Sequence, residues 1–169
     1  MDWQNTKDIQ HLCIEKQLLN LNQALFTDKP LQALKNTCLS NLSKSENIKI
    51  GYIGELYARF YLENFKRYEF YQSNYKLPFG EIDLILKDKN DLVIVEVKTR
   101  KYKKFDKIDI FSNITTKKKS TLRKLAFALQ ENAKQKTGLL FGIRIDLVGI
   151  YICPIDYSIK KIEHLISAI

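Results

Sequence analysis

Cysteine, histidine and long apolar runs are scarce in this chain. Three cysteines, Cys13, Cys38 and Cys153, are scattered through 169 residues, an odd count without C-x-x-C spacing. That excludes a disulfide framework and a thiolate metal site, and the cysteines read as buried thiols. The two histidines, His11 and His164, have no second His or Cys at helical spacing, so each reads as a structural residue rather than a ligand or catalyst. No apolar stretch approaches the ~20 residues needed to cross a bilayer. The opening MDWQNTKDIQ lacks the basic-then-apolar order of a secretory signal. The expectation is a cytoplasmic protein with no membrane association.

What is present is a globular composition, 45% hydrophobic and 28% charged, suited to one domain with an appendage. The net charge is +9, and residues 100–136 hold twelve Lys or Arg against Asp106, Asp109 and Glu131, which accounts for the whole excess. Arg100, Lys101, Lys103, Lys104, Lys117, Lys118, Lys119, Arg123 and Lys124, with Tyr102 and Phe105 interleaved, make a candidate phosphate-contacting surface. The plainer alternative is a solvated basic face.

Residues 1–48 read as a separate helical hairpin. Ile14, Leu18, Leu21 and Leu25 follow one helical stripe, and Leu31, Leu34, Cys38 and Leu42 follow a second. Asp28 and Pro30 supply an N-cap and a first-turn proline between them. Five lysines and five acids cancel in this segment, which fits packing, homodimerisation or docking to a protein partner better than catalysis. The polar SNLSKSEN then leads into the main domain, 49–169.

That domain opens with the helical GYIGELYARFYLENF. Ile53, Tyr57, Phe60 and Tyr61 form a core-like stripe, while Gly51, Glu55, Ala58 and Leu62 share another face. Small residues beside Glu55 would let its carboxylate lean over a neighbouring sheet; an ordinary solvent-facing glutamate is the alternative. Three strands follow, at 68–75, 81–87 and 92–98, the last two joined by the short polar DKND of an antiparallel hairpin. Alternation puts Glu81, Asp83 and Ile85 on one face and Ile82, Leu84 and Leu86 on the other, and places Glu96 with Lys98 opposite Val95 and Val97.

Charges inside apolar strands need partners. If the hairpin register sets Asp83 against Glu96, two carboxylates and the Lys98 ammonium converge on one patch. Carboxylate pairs attract Mg²⁺, which takes hard oxygen ligands, and a neighbouring lysine stabilises charge developing on phosphate. The alternative is a cross-strand salt bridge on an exposed face.

With GELYARFYL, NYK, GEIDLI, LVIVEVKTR, the stretch 118–126 and RIDLV in this order, the chain resembles the YraN-like family, UPF0102, of the PD-(D/E)xK nuclease superfamily, over residues 51 to about 150. The resemblance implies a restriction-endonuclease-like α/β fold, a central mixed sheet flanked by helices. It implies a metal-binding acid at Asp83, a second at Glu96, the catalytic lysine at Lys98 and an additional acid at Glu55. Lys76, RIDLVGI and the N-terminal hairpin depart from the family's usual pattern.

TTKKKSTLRKLAFALQENAK reads as a helix burying Leu122, Leu125, Ala126 and Leu129, with Lys117, Lys118, Arg123 and Lys124 left for solvent or phosphate. LLFGIRIDLVGIYIC reads as one or two strands, with Asp146 an inward structural polar residue, and SIKKIEHLISAI as a terminal helix. The expected function is hydrolysis of nucleic-acid phosphodiester bonds with Mg²⁺ or Mn²⁺, the substrate being DNA, branched DNA included. A non-catalytic nucleic-acid-binding or assembly protein on the same fold is the alternative.

Overall fold

The computed structural model describes residues 46–104 and 109–169, so the hairpin expected over 1–48 falls outside it except for its last three residues. Those three begin a helix, α1 (Glu46–Phe65), which continues through the predicted 51–65 segment. Strands β1 (Glu69–Leu77), β2 (Gly80–Asp88) and β3 (Asp91–Lys101) follow, then α2 (Thr116–Thr137), β4 (Gly142–Ile152) and β5 (Ile159–Leu165). The five strands form one sheet in the order β1-β2-β3-β4-β5. All neighbours are antiparallel except β3 and β4, which run parallel. A parallel pair needs a long crossover, and α2 provides it.

Each helix covers one face. Against α1, Leu84, Leu86, Val93, Val95, Val97, Val148, Ile150 and Ile152 pack on Ile53, Tyr57, Ala58 and Leu62. Against α2, Ile82, Ile85, Leu92, Ile94 and Ile145 pack on Leu122, Leu125, Ala126 and Leu129. Strands covered on both faces are apolar at nearly every position, which is why β2 and β3 read as runs rather than clean alternations. Each fully buried Leu or Ile contributes about 1.5–3 kcal/mol. This is the restriction-endonuclease-like α/β arrangement that the sequence predicts.

The C-terminal segment is a correction. SIKKIEHLISAI is no helix: residues 159–165 form β5, antiparallel to β4. Ile159 and Ile162 sit three apart, a helical spacing, and both pack on the α1 side. A strand can do that only if one residue is extra. The register shifts between Ile150↔Ile162 and Ile152↔Ile159, which leaves Lys160 as that residue in a β-bulge. A second bulge leaves Tyr71 unpaired in β1.

Candidate active site

Asp83 stands where β2 parts from β3. Their ladder runs from Asp88↔Asp91 to Leu84↔Val95, which sets Asp83 across from Glu96 at the next position. There the Asp83 carboxylate takes over: its Oδ2 accepts the Val97 N–H at 2.7 Å. The strand also turns at this point. Alternation assigns Ile82 to the same face as Leu84 and Leu86, yet Ile82 packs in the α2 layer and the other two in the α1 layer. The predicted grouping of those three is therefore corrected.

Glu96 is 1% exposed, and cations reach it from two elements. Lys98 Nζ donates to Oε1 at 2.5 Å, as its place two residues along the same strand allows. Lys118 Nζ lies 2.8 Å from Oε2. Lys118 was expected on the solvent face of its helix; instead it heads the buried stripe Leu122, Leu125 and Leu129, at the heptad spacing the sequence contains. The start of α2 fixes that position, because the Thr115 hydroxyl accepts the Lys118 N–H at 3.1 Å as an N-cap. The ion pair to Oε2 lacks directed hydrogen-bond geometry, so this buried oxygen has no hydrogen-bond partner among the described residues.

Glu55 approaches from α1. A Cβ on Gly54 would sit 1.7 Å from Thr99 Oγ1, so only glycine lets the helix lie this close to β3 just beyond Lys98. Burial, then the charges of Asp83, Glu81 and Glu96, push the Glu55 carboxyl up to about 7 despite a hydrogen bond from Asn74. Asp83 is raised to about 6, first by burial and then by Glu96, against the Val97 N–H and the charges of Lys118 and Lys98. Glu55, Asp83 and Glu96 thus share one field. Asn74, whose φ of 51° is in the left-handed region, was given no role on sequence, although it opens the NYK motif that contributes to the family resemblance.

The other basic residues surround this centre. Arg100 and Lys101 continue β3 past Lys98, and both are half-buried. Lys103, Lys104, Lys117, Lys119, Arg123 and Lys124 are exposed. Asp146 lies elsewhere, in the structural role expected of it: buried, it accepts from Arg144 Nε at 3.2 Å and Ser167 N at 2.9 Å, with His164 Nε2 at 3.0 Å. Burial opposes its ionisation, but these partners outweigh that and hold its carboxyl below the ordinary range. Arg144 also bridges to Asp88 at 2.8 Å and Tyr68 Oη at 2.6 Å, and none of these contacts was visible in the sequence.

Among the described residues, no three His, Cys, Asp or Glu side chains converge closely enough to enclose a metal ion by themselves. The donor set is smaller: Asp83, whose ionisation burial hinders, and Glu96, whose two oxygens are paired with Lys98 and Lys118 and face the same patch. Two such carboxylates suit a hard cation that keeps several waters. No helix of the described residues is long and apolar enough to cross a membrane.

Fold and site together define an α/β sheet protein with clustered carboxylates and lysines at the point where two central strands diverge. The sequence profile of the Uncharacterised protein family UPF0102 matches residues 54–150, a span that holds Glu55, Asp83, Glu96, Lys98 and Lys118. The chain belongs to that family. A UPF0102 protein of Thermodesulfovibrio yellowstonii is 38% identical over 121 residues, 72% of this chain and 96% of the relative. One from Caldanaerobacter subterraneus subsp. tengcongensis is 30% identical over 127 residues, 75% and 99% of the two chains. One from Alkaliphilus oremlandii is 32% identical over 120 residues, 70% and 97%.

Proposed function

We propose that this protein is a metal-dependent nuclease that hydrolyses phosphodiester bonds of DNA, as the resemblance to PD-(D/E)xK enzymes implies. The observation that carries the reading is the meeting of Asp83, Glu96 and Lys98 at the β2–β3 divergence, with Lys118 on the second Glu96 oxygen. A protein that only binds nucleic acid gains nothing from buried carboxylates, which repel the phosphates its basic surface attracts.

Asp83 and Glu96 would hold a Mg²⁺ or Mn²⁺ ion, which when bound supplies a water activated toward attack and offsets charge on the phosphate. The chain's own groups do the rest. The Val97 N–H orients the Asp83 carboxylate, and Lys98 and Lys118 hold the two oxygens of the buried Glu96 carboxylate. Released from Glu96, the Lys98 ammonium is placed to stabilise the negative charge that grows on the phosphoryl oxygens in the transition state. Glu55, with its carboxyl near neutrality, can hold or release a proton at working pH.

The test is incubation of the purified protein with Mg²⁺ or Mn²⁺ and end-labelled linear, single-stranded, flapped and four-way DNA. Metal-dependent cleavage that Lys98→Ala lowers on the order of 10²-fold supports the reading. Binding without cleavage by the wild type overturns it in favour of a binding or assembly protein.

A further inference from the structure

Two exposed phenyl rings face one shallow concavity on the outer side of α2. Phe79 is 48% exposed and Phe127 67% exposed, and they share the concavity with Ser120, Arg123, Lys124 and Ala128. The α2 residues stand at i, i+3, i+4, i+7 and i+8, a single face of two turns. Phe79 comes from the two-residue turn between β1 and β2, where Leu77 pairs with Gly80. Pro78 fixes φ within that turn. Gly80 seats the turn on the helix: a Cβ there would lie 3.0 Å from Thr121 and 3.4 Å from Leu125. The phenyl is thus presented by a rigid turn held against α2.

Scattered exposed phenyls need no explanation. These two are not scattered. They flank exposed Arg123 and Lys124 on the helix whose first turn carries Lys118 to Glu96. Nine residues separate Lys118 from Phe127, about 13 Å along the helix axis and half a turn round it, so a strand lying on the outer face reaches Glu96 by passing over the start of α2, where Lys117 and Lys119 are exposed. Cations that neutralise phosphates, with aromatic faces between them, form the surface on which successive unpaired bases stack. A duplex cannot use it, because paired bases expose only their edges in the grooves.

We infer that Phe79 and Phe127, with Arg123 and Lys124, form a stacking platform for a single-stranded DNA segment that leads into the Asp83, Glu96 and Lys98 site. This rests on the nuclease reading above and narrows its substrate class to DNA with an unpaired tail, such as a flap or overhang.

The test is equilibrium binding of the full-length chain, in chelator so that nothing is cut. The probes are fluorescent single strands of about 15 nucleotides, within the site sizes of strand-binding folds. One has normal bases and one is abasic throughout, and a blunt duplex of the same sequence completes the set. The wild type should prefer the strand with bases over both other probes. The double variant Phe79→Ala, Phe127→Ala should bind that strand about tenfold or more weakly, the scale of losing a base–aromatic stack. Its affinity for the abasic strand should hold, and Phe79→Tyr, Phe127→Tyr should restore the preference. Both rings are exposed, so an unchanged melting temperature verifies folding. Equal wild-type affinity for normal and abasic strands, or an unaltered preference in the alanine variant, overturns the platform. Because binding is read without catalysis, a wild type that cuts nothing with any metal yet shows the preference refutes the nuclease reading alone.

Discussion

Lys118, on α2, lies 2.8 Å from Oε2 of Glu96, on β3, while Lys98 holds Oε1 of the same carboxylate. The two lysines are not equivalent. Lys98 sits on the strand that carries the acid, whereas Lys118 arrives across the crossover and ties helix to sheet. Lys98→Ala should lower cleavage on the order of 10²-fold with nucleic-acid affinity nearly intact, the scale of removing one preorganised charge-stabilising group. Lys98→Ala and Lys118→Ala should each lower the metal-free stability, by about 1–3 kcal/mol, because each takes a partner from a buried carboxylate. Added Mg²⁺ should recover that loss. Chemical denaturation with and without Mg²⁺, beside a cleavage assay, reads both effects; a Lys118→Ala variant that loses no stability would contradict the tie between helix and sheet.

The raised acids make stability depend on pH in a definite sense. Glu55 rises from 4.5 to about 7 and Asp83 from 3.8 to about 6 on folding. These two groups therefore bind more protons in the folded than in the unfolded chain between about pH 4 and 7, and the stability they contribute falls as pH rises through that window. Glu55→Gln should stabilise the protein at pH 8 by about 1–2 kcal/mol, allowing for solvent screening, and change little at pH 4. Thermal melts across the range decide it.

Divalent ions should act in the opposite direction. Mg²⁺ at 10-fold excess over its Kd, about 1.4 kcal/mol by mass action, should raise the melting temperature by a few degrees at pH 8. Below about pH 5.5 protons compete for the carboxylates and the gain should vanish. Asp83→Asn should abolish it at every pH. An ion-induced shift that survives Asp83→Asn places the cation elsewhere.

Gly54 is the position where packing and chemistry coincide. Gly54→Ala forces the new methyl onto Thr99 Oγ1, 1.7 Å away, and the helix must move off the strand. Overpacking of this kind costs about 1–3 kcal/mol. Glu55 moves with the helix, so cleavage should fall by more than the loss of folded protein explains. Thr99→Gly in the Gly54→Ala background should recover much of the stability, which a double-mutant cycle would read directly.

Counterion release gives the basic surface its own test. The log of affinity for duplex DNA should fall linearly with log salt, with a slope of about −0.9 per phosphate neutralised. Replacing the exposed Lys117 and Lys119 by Ala should reduce that slope by up to about two such increments. The Lys118 contribution should be smaller, because its ammonium is engaged with Glu96.

The parts legible in the sequence were those set by neighbours along the chain. The α1, β2, β3 and α2 segments follow from periodicity, and the opposition of Asp83 and Glu96 follows from a short hairpin plus strand parity. What escaped is decided across the fold. Lys118 occupies a stripe position that apolar residues normally hold, so its chemistry concealed its orientation. The spacing of Ile159 and Ile162 mimics a helix because a bulge consumes Lys160. Ile82 changes layers through a twist that no two-residue period encodes. The Arg144, Asp146 and His164 contacts join β4 to β5, a pairing hidden once the terminal segment is taken as helical.

The same two bulges govern how the molecule meets its own copies. β1 and β5 are the outer strands, and each carries one, at Tyr71 and at Lys160. An irregular rim with a protruding ring or ammonium is a poor template for a foreign strand, so sheet-to-sheet growth is blocked at both sides. Among the described strands, the open sheet thus carries its own hindrance to edge pairing without a barrel's closure.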